Sequence, residues 1–319
     1  MNKLQKQSVS LYFNLTNACN SACIFCVSSS QNVQVRHDIS IENIIKAYER
    51  YDIGPGDEVI LNGGEPTVYP GLLEAIERAS ERQALVYLCT NGRLLQRYDY
   101  AKKALEAGVF RLSIPLHGRQ DETHDGLTCR DGSLRQTIKG IRNACRIRDI
   151  TGFPQELELK LLSVRSSLAE WPEIVDFIAE EFGKPDKLVL SGLNMWSNAT
   201  DTYPEVTPSL QEMKEYINQA LDRAHLNNMP VVLWSIPLCA LNQTHQEQFI
   251  SSVCYSSSGV SSEVRAIYFD PDCPQGVEVP NNEYQSSAAP VSEPCQECNL
   301  LNACGPGSIF MQQILQAST

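Results

Sequence analysis

The chain has 319 residues, 42% of them hydrophobic and 20% charged, with a formal net charge of −12. That length holds one large α/β domain with a small appendage, or two ordinary domains. It contains no run of about eighteen apolar residues, which excludes a helical membrane span. The acidic balance argues against non-specific nucleic-acid binding, which needs clustered Lys and Arg, and leaves open a small basic groove for a specific acidic or RNA partner. Residues 1–8 are polar without an apolar signal core, so a cytoplasmic location is expected.

Apolar alternation and helical periodicity divide the first two thirds of the chain into regular units. Strands are predicted at 10–15, 58–61, 85–89, 110–115, 157–163, 187–190 and 231–236. Helices are predicted between them at 40–51, 71–82, 98–107, 133–148, 169–182 and 209–227, with Ser40 and Ser133 as helix caps. Six strand–helix units in succession imply parallel strands joined by right-handed crossovers, in a barrel or an open doubly wound sheet. In either case the loops after the strands' C-terminal ends form the working face.

Beyond residue 236 the chain turns rich in Ser, Pro, Asn and Cys, with little helical periodicity before 308–316. Such a segment buries little apolar surface and needs a metal or cluster to staple it. The expected division is therefore a first domain over 1–236 and a small, loop-rich, cluster-binding domain over 237–319.

Twelve cysteines in a reducing compartment point to metal binding or catalysis before disulfides. Cys19, Cys23 and Cys26 give a C-x3-C-x2-C spacing just after the first strand. Three thiolates on one short loop hold three irons of a [4Fe–4S] cluster and leave the fourth open. An open position marks a catalytic rather than a structural site. Zinc, completed by a fourth ligand such as His37, is the competing reading. Cys295, Cys298 and Cys304 form a second set in the tail, for which zinc or a second cluster remain open. Cys89, Cys129 and Cys145 stand apart and read as small buried hydrophobes.

The cysteine triplet, with Phe25 before its last member, resembles the signature of the radical S-adenosylmethionine (SAM) superfamily. Gly63-Gly64-Glu65-Pro66, a tight turn by itself, resembles that family's GGE-P motif, and Thr90-Asn91-Gly92 its T-N-G segment. The resemblance covers about residues 10–236. It implies a partial (β/α)6 TIM-type barrel, a SAM-binding [4Fe–4S] cluster on Cys19, Cys23 and Cys26, and SAM contacts from Phe25, Gly63, Gly64, Glu65, Pro66, Asn91, Ser113, His117 and Arg130. It also implies reductive cleavage of SAM to a 5′-deoxyadenosyl radical that takes a substrate hydrogen.

The tail's C-x2-C-x5-C resembles SPASM and twitch auxiliary-cluster domains. This chain has Ser308 where the longer SPASM form has a further Cys, so one auxiliary [4Fe–4S] cluster is expected. Its ligands would be Cys295, Cys298 and Cys304 with Cys239, and Cys254 or Cys273 as competitors for the fourth place. Relatives with such tails imply peptide modification, with oxidation or rearrangement of a small metabolite or nucleoside as the alternative. An external donor such as flavodoxin or ferredoxin would supply electrons. A metal-stabilised binding protein without catalysis is the non-enzymatic alternative. No acid–base residue is assigned.

Overall fold

Residues 8–26, 34–193, 203–251, 255–256, 265–279 and 298 are described in the computed structural model. Ten strands form one sheet: β1 (Val9–Asn14), β2 (Glu58–Asn62), β3 (Leu85–Cys89), β4 (Val109–Pro115), β5 (Glu156–Leu162), β6 (Lys187–Ser191), β7 (Val231–Trp234), β8 (Tyr255–Ser256), β9 (Arg265–Asp270) and β10 (Cys273–Val279). Their spatial order is β10-β9-β1-β2-β3-β4-β5-β6-β7-β8. All neighbours are parallel except β9 and β10. The two end strands do not pair with each other, so the sheet curls as a partial barrel and stays open.

The helices are α1 (Ile41–Arg50), α2 (Leu72–Ser80), α3 (Tyr98–Glu106), α4 (Asp121–Thr128), α5 (Ser133–Thr151), α6 (Arg165–Leu168), α7 (Trp171–Phe182), α8 (Tyr203–Val206), α9 (Leu210–Leu226) and α10 (Gln243–Ser251). None is long and apolar enough to cross a membrane among the described residues. The apolar stripes of the crossover helices pack on one face of the sheet. Phe13 of β1, for example, meets the ring of Tyr48 on α1 edge-on, at 5.7 Å between centroids.

The other face is polar, and β5 shows why. Its sequence ELELKLL alternates strictly, burying Leu157, Leu159 and Leu161 under the helices and turning Glu156, Glu158 and Lys160 to the concave side. A parallel strand covered on both faces would read as an unbroken apolar run. Here Glu156 instead accepts from Arg111 Nε at 2.7 Å and Lys187 Nζ at 2.9 Å. Glu58 accepts from Ser10 Oγ at 2.6 Å and Tyr87 OH at 2.8 Å. The concave side is therefore a charged, hydrogen-bonded lining at its base, open towards the strand ends.

Three features depart from the sequence expectations. Strands β8, β9 and β10 come from the 237–319 segment yet extend the sheet at both edges, β9 pairing with β1. Helix α4 occupies what read as a loop, because DETHDGLT carries Gly126 and no continuous apolar stripe. Ser133 is not the cap of α5: Gly132 holds that position, and the carboxylate of Asp125 on α4 accepts from Gly132 N, Ser133 Oγ and Leu134 N. Ser40 does cap α1, accepting from Asn43 N at 3.3 Å.

Candidate active site at the strand ends

The loop carrying Cys19, Cys23 and Cys26 leaves β1 and is fastened on three sides. Towards the exit of β2, Gly64 N donates to Thr16 O at 2.7 Å and Glu65 N to Ala18 O at 2.9 Å. A Cβ on Gly64 would stand 2.3 Å from Ala18 O, and one on Gly63 would stand 2.7 Å from Thr16 O. Gly63 also has φ near 126°, which L-residues rarely adopt. The glycine pair thus lets two backbones touch, a reason the sequence motif did not reveal. Towards α4, Ala22 N donates to Thr128 O and Ile24 N to Leu127 O, at 2.9 and 3.1 Å. Towards the exit of β3, Asn91 Nδ2 donates to Asn20 Oδ1 at 2.6 Å.

Glu65 ties these exits together. Its side chain is 1% exposed. Oε1 accepts from Thr67 N at 3.0 Å and from the hydroxyls of Thr67 and Thr90 at 2.5 Å; Oε2 accepts from Asn91 N at 2.8 Å. Burial pushes its carboxyl above the usual carboxylate range, while these four donors pull the other way. Pro66 opens the short 3-10 turn Pro66–Val68 that Glu65 caps. Glu65 therefore sets the geometry of the cradle.

Helix α5 presses on the β3 exit from outside. Gly140 makes this possible, since a Cβ there would lie 2.2 Å from Gly92 O. Thr137 Oγ1 donates to Asn91 O at 3.0 Å, and Arg93 Nε to Gln136 Oε1 at 2.7 Å. Arg93 then reaches the cysteine loop, its Nη1 donating to Asn20 O and, at 3.0 Å, to Ser21 Oγ. Sequence reading missed Arg93, because nothing local marks a side chain whose partners in the cysteine loop lie more than seventy residues away. Arg130 sits at the same place but on the surface, its Nε donating to Asn20 O at 3.3 Å.

The remaining predicted residues fall around this loop. The Phe25 ring lies 4.7 Å from that of His117, which follows β4. His117 is buried with Nδ1 lacking a hydrogen-bond partner among the described residues, and burial with the neighbouring His124 depresses its pKa to about 3. It is a neutral imidazole at ordinary pH. Ser113 lies on the concave face of β4 and donates to Glu158 Oε1 at 2.7 Å.

The donor set decides whether an iron–sulfur cluster fits. Burial, partly offset by the Ser21 N–H, lifts Cys19 to about 11, and burial with the charges of Cys26 and Cys19 lifts Cys23 to about 12. Both thiols would release protons on binding metal. Among the described residues, no group of three or more His, Cys, Asp or Glu is arranged to hold a single metal ion, and His37 lies instead near Asp272, at 3.6 Å. Three thiols on one short loop are the kind of donor set that an iron–sulfur cluster takes. Cys129 is not the buried small hydrophobe expected: it is exposed, at the C-terminus of α4.

For the second cysteine set, Cys239 lies in the 3-10 turn Leu238–Ala240 after β7, Cys273 begins β10, and Cys298 is half-buried. Cys254, Cys295 and Cys304 lie outside the described residues.

The Radical SAM superfamily model matches residues 13–156, which span the cysteine loop and the exits of β1 to β4. Among curated proteins, the chain is 28% identical over 173 residues to a probable GTP 3′,8-cyclase of Thermococcus kodakarensis, covering 53% of each. It is 25% identical over 169 residues to the Fe-coproporphyrin III synthase of Methanosarcina barkeri, covering 53% of this chain and 40% of that protein. The chain thus spans about half or less of these relatives' length. Among solved structures, anSMEcpe with bound AdoMet and Cp18Cys peptide superposes with a TM-score of 0.65 at 14% identity, over 98% of both chains. Streptococcus suis SuiB bound to S-adenosylmethionine gives 0.61 at 15% identity, over 94% of this chain and 72% of that one. At such identities the superpositions establish the fold. The domain over residues 13–156 is thus a Radical SAM superfamily domain.

Proposed function

We propose that this chain is a radical SAM enzyme that modifies a peptide substrate. Cys19, Cys23 and Cys26 would hold a [4Fe–4S] cluster whose remaining iron is available to SAM. When bound, cluster and SAM together supply an electron and a scissile sulfonium, giving a 5′-deoxyadenosyl radical that takes a hydrogen atom from the substrate.

The chain's own residues do the rest. Gly63 and Gly64 bring the β2 exit against the cysteine loop, and the backbone of 63–66 faces the position of an amino-acid cofactor moiety. Glu65 holds Thr67, Thr90 and Asn91 around it. Phe25 and His117 close one side, while Arg93 and Arg130 bring positive charge to the loop at Asn20. Ser113 and Arg130 are proposed cofactor contacts on placement alone. Residues 1–236 would form the catalytic domain. Cys295, Cys298 and Cys304, with Cys239 as fourth ligand, would hold one auxiliary cluster that passes electrons or positions substrate. Flavodoxin or ferredoxin is the expected electron donor, and the cytoplasm the expected location.

The observation that carries the enzyme reading is the cysteine loop fastened to a buried Glu65 beneath the glycine pair. The peptide reading draws support from anSMEcpe, which aligns over 98% of both chains and carries a bound peptide. The names of the curated GTP 3′,8-cyclases favour a second reading, a nucleotide substrate. Anaerobic reconstitution with iron and sulfide, followed by SAM and dithionite, should release 5′-deoxyadenosine. Stimulation of that release by GTP would move the assignment to the nucleotide reading. No release at all would remove both.

A further inference from the structure

The concave face carries a basic side chain that the proposed chemistry does not use. Arg111, Lys160 and Lys187 project from β4, β5 and β6 on this side. Arg111 and Lys187 both bind Glu156 at the base of the sheet. Lys160, nearer the C-terminal end of β5, has no carboxylate within ion-pairing distance among the described residues. Its ammonium rests instead 4.5 Å from the ring centre of Trp234, the last residue of β7. Trp234 is 37% exposed, and Gly192 N, donating to its carbonyl at 2.8 Å, fixes its backbone.

This pair lies on the working face. Lys160 is the neighbour of Pro115 in the register, and its charge acts on Cys89 at the end of β3, one residue before the Thr90 that bonds Glu65. A cation over an indole face is held more weakly than one in a hydrogen-bonded ion pair. The ammonium can therefore turn to an arriving anion while its methylene stem stays against the ring. The neighbouring Glu158, bonded by Ser113, together with Glu156, opposes a group of high negative charge.

We infer that Lys160 and Trp234 form a receptor for a single carboxylate of the substrate, the ammonium pairing with the carboxylate and the indole covering the adjoining carbon chain. This rests on the proposed function only in placing the substrate at this mouth. A peptide's Asp or Glu and a small carboxylic acid share this chemistry.

Tryptophan fluorescence of the reconstituted protein, titrated with N-acetyl-glutamate α-amide, tests the inference without any turnover. It therefore stays separable from the SAM-cleavage assay. The expected result is a saturable change that the glutamine isostere reproduces at least about tenfold more weakly. Trp234→Phe should abolish the signal, Lys160→Met should weaken binding by a similar factor, and Lys160→Arg should retain it. Extending the probe to a blocked tripeptide centred on Glu separates the sources, since tighter binding points to a peptide and equal binding to a small acid. Equal binding of the glutamine isostere, unchanged binding in Lys160→Met, or preference for pyrophosphate would overturn the inference.

Discussion

The strand ends of β1 to β4 and those of β5 to β7 are built differently. In the first group nearly every polar side chain is committed to another loop: Glu65 to Thr67, Thr90 and Asn91, Asn91 to Asn20, Arg93 to Ser21 and Gln136. In the second, among the described residues, the buried Ser163 Oγ after β5 has no hydrogen-bond partner, and Lys160 rests on the exposed Trp234 with no carboxylate at ion-pairing distance. A rigid half suits a cofactor that is the same in every turnover. A half with uncommitted groups suits the substrate, which must be recognised and released.

Breaking the rigid half at its metal donors should have the largest effect. Cys19→Ala, Cys23→Ala or Cys26→Ala should each abolish 5′-deoxyadenosine release, measured chromatographically, and remove the SAM-responsive part of the iron signal. Next comes Glu65→Ala, which leaves several buried donors unpaired and should cost about 3 kcal/mol, read as a lower urea midpoint. Glu65→Gln should cost less, because one oxygen still accepts.

The buried histidines sharpen the comparison through pH. His117 and His124 titrate near 3 and 4 in the fold, through burial first, against about 6.5 in an unfolded chain. Because the folded values are depressed, their contribution is intact above about pH 6.5 and is lost as pH falls towards those values. Stability should drop by about 1.4 kcal/mol per pH unit for each histidine below about pH 6. Replacing His117 with Phe should flatten that slope in a urea series. Gly64→Ala, which forces a methyl against Ala18 O, should cost about 1–3 kcal/mol and weaken iron retention. The smallest effect is expected from Arg93→Gln, about 1 kcal/mol by the same urea measurement.

These differences also mark what the sequence could reveal. Local periodicity located β1 to β7 because each strand's alternation is contained in its own residues, most clearly in ELELKLL of β5. The cysteine spacing and the GGEP turn were legible for the same reason. The partners of Glu65 were not, since Thr90 and Asn91 lie twenty-five and twenty-six residues on and no periodic signal links them. Strand β9 escaped because RAIYFD is a short apolar run in a Ser- and Pro-rich segment, and its pairing with β1 spans most of the chain. Cys129 read as a core residue because a lone cysteine carries no mark of its exposure.

Catalysis of the proposed kind requires the loop at Cys19, Cys23 and Cys26 to leave one iron without a protein thiolate. Electron paramagnetic resonance on anaerobically reconstituted protein, with Cys295, Cys298 and Cys304 replaced by Ser, isolates that loop. The reduced protein should retain one [4Fe–4S] signal, and adding SAM should shift it. A signal indifferent to SAM, or zinc in place of iron, would contradict the account.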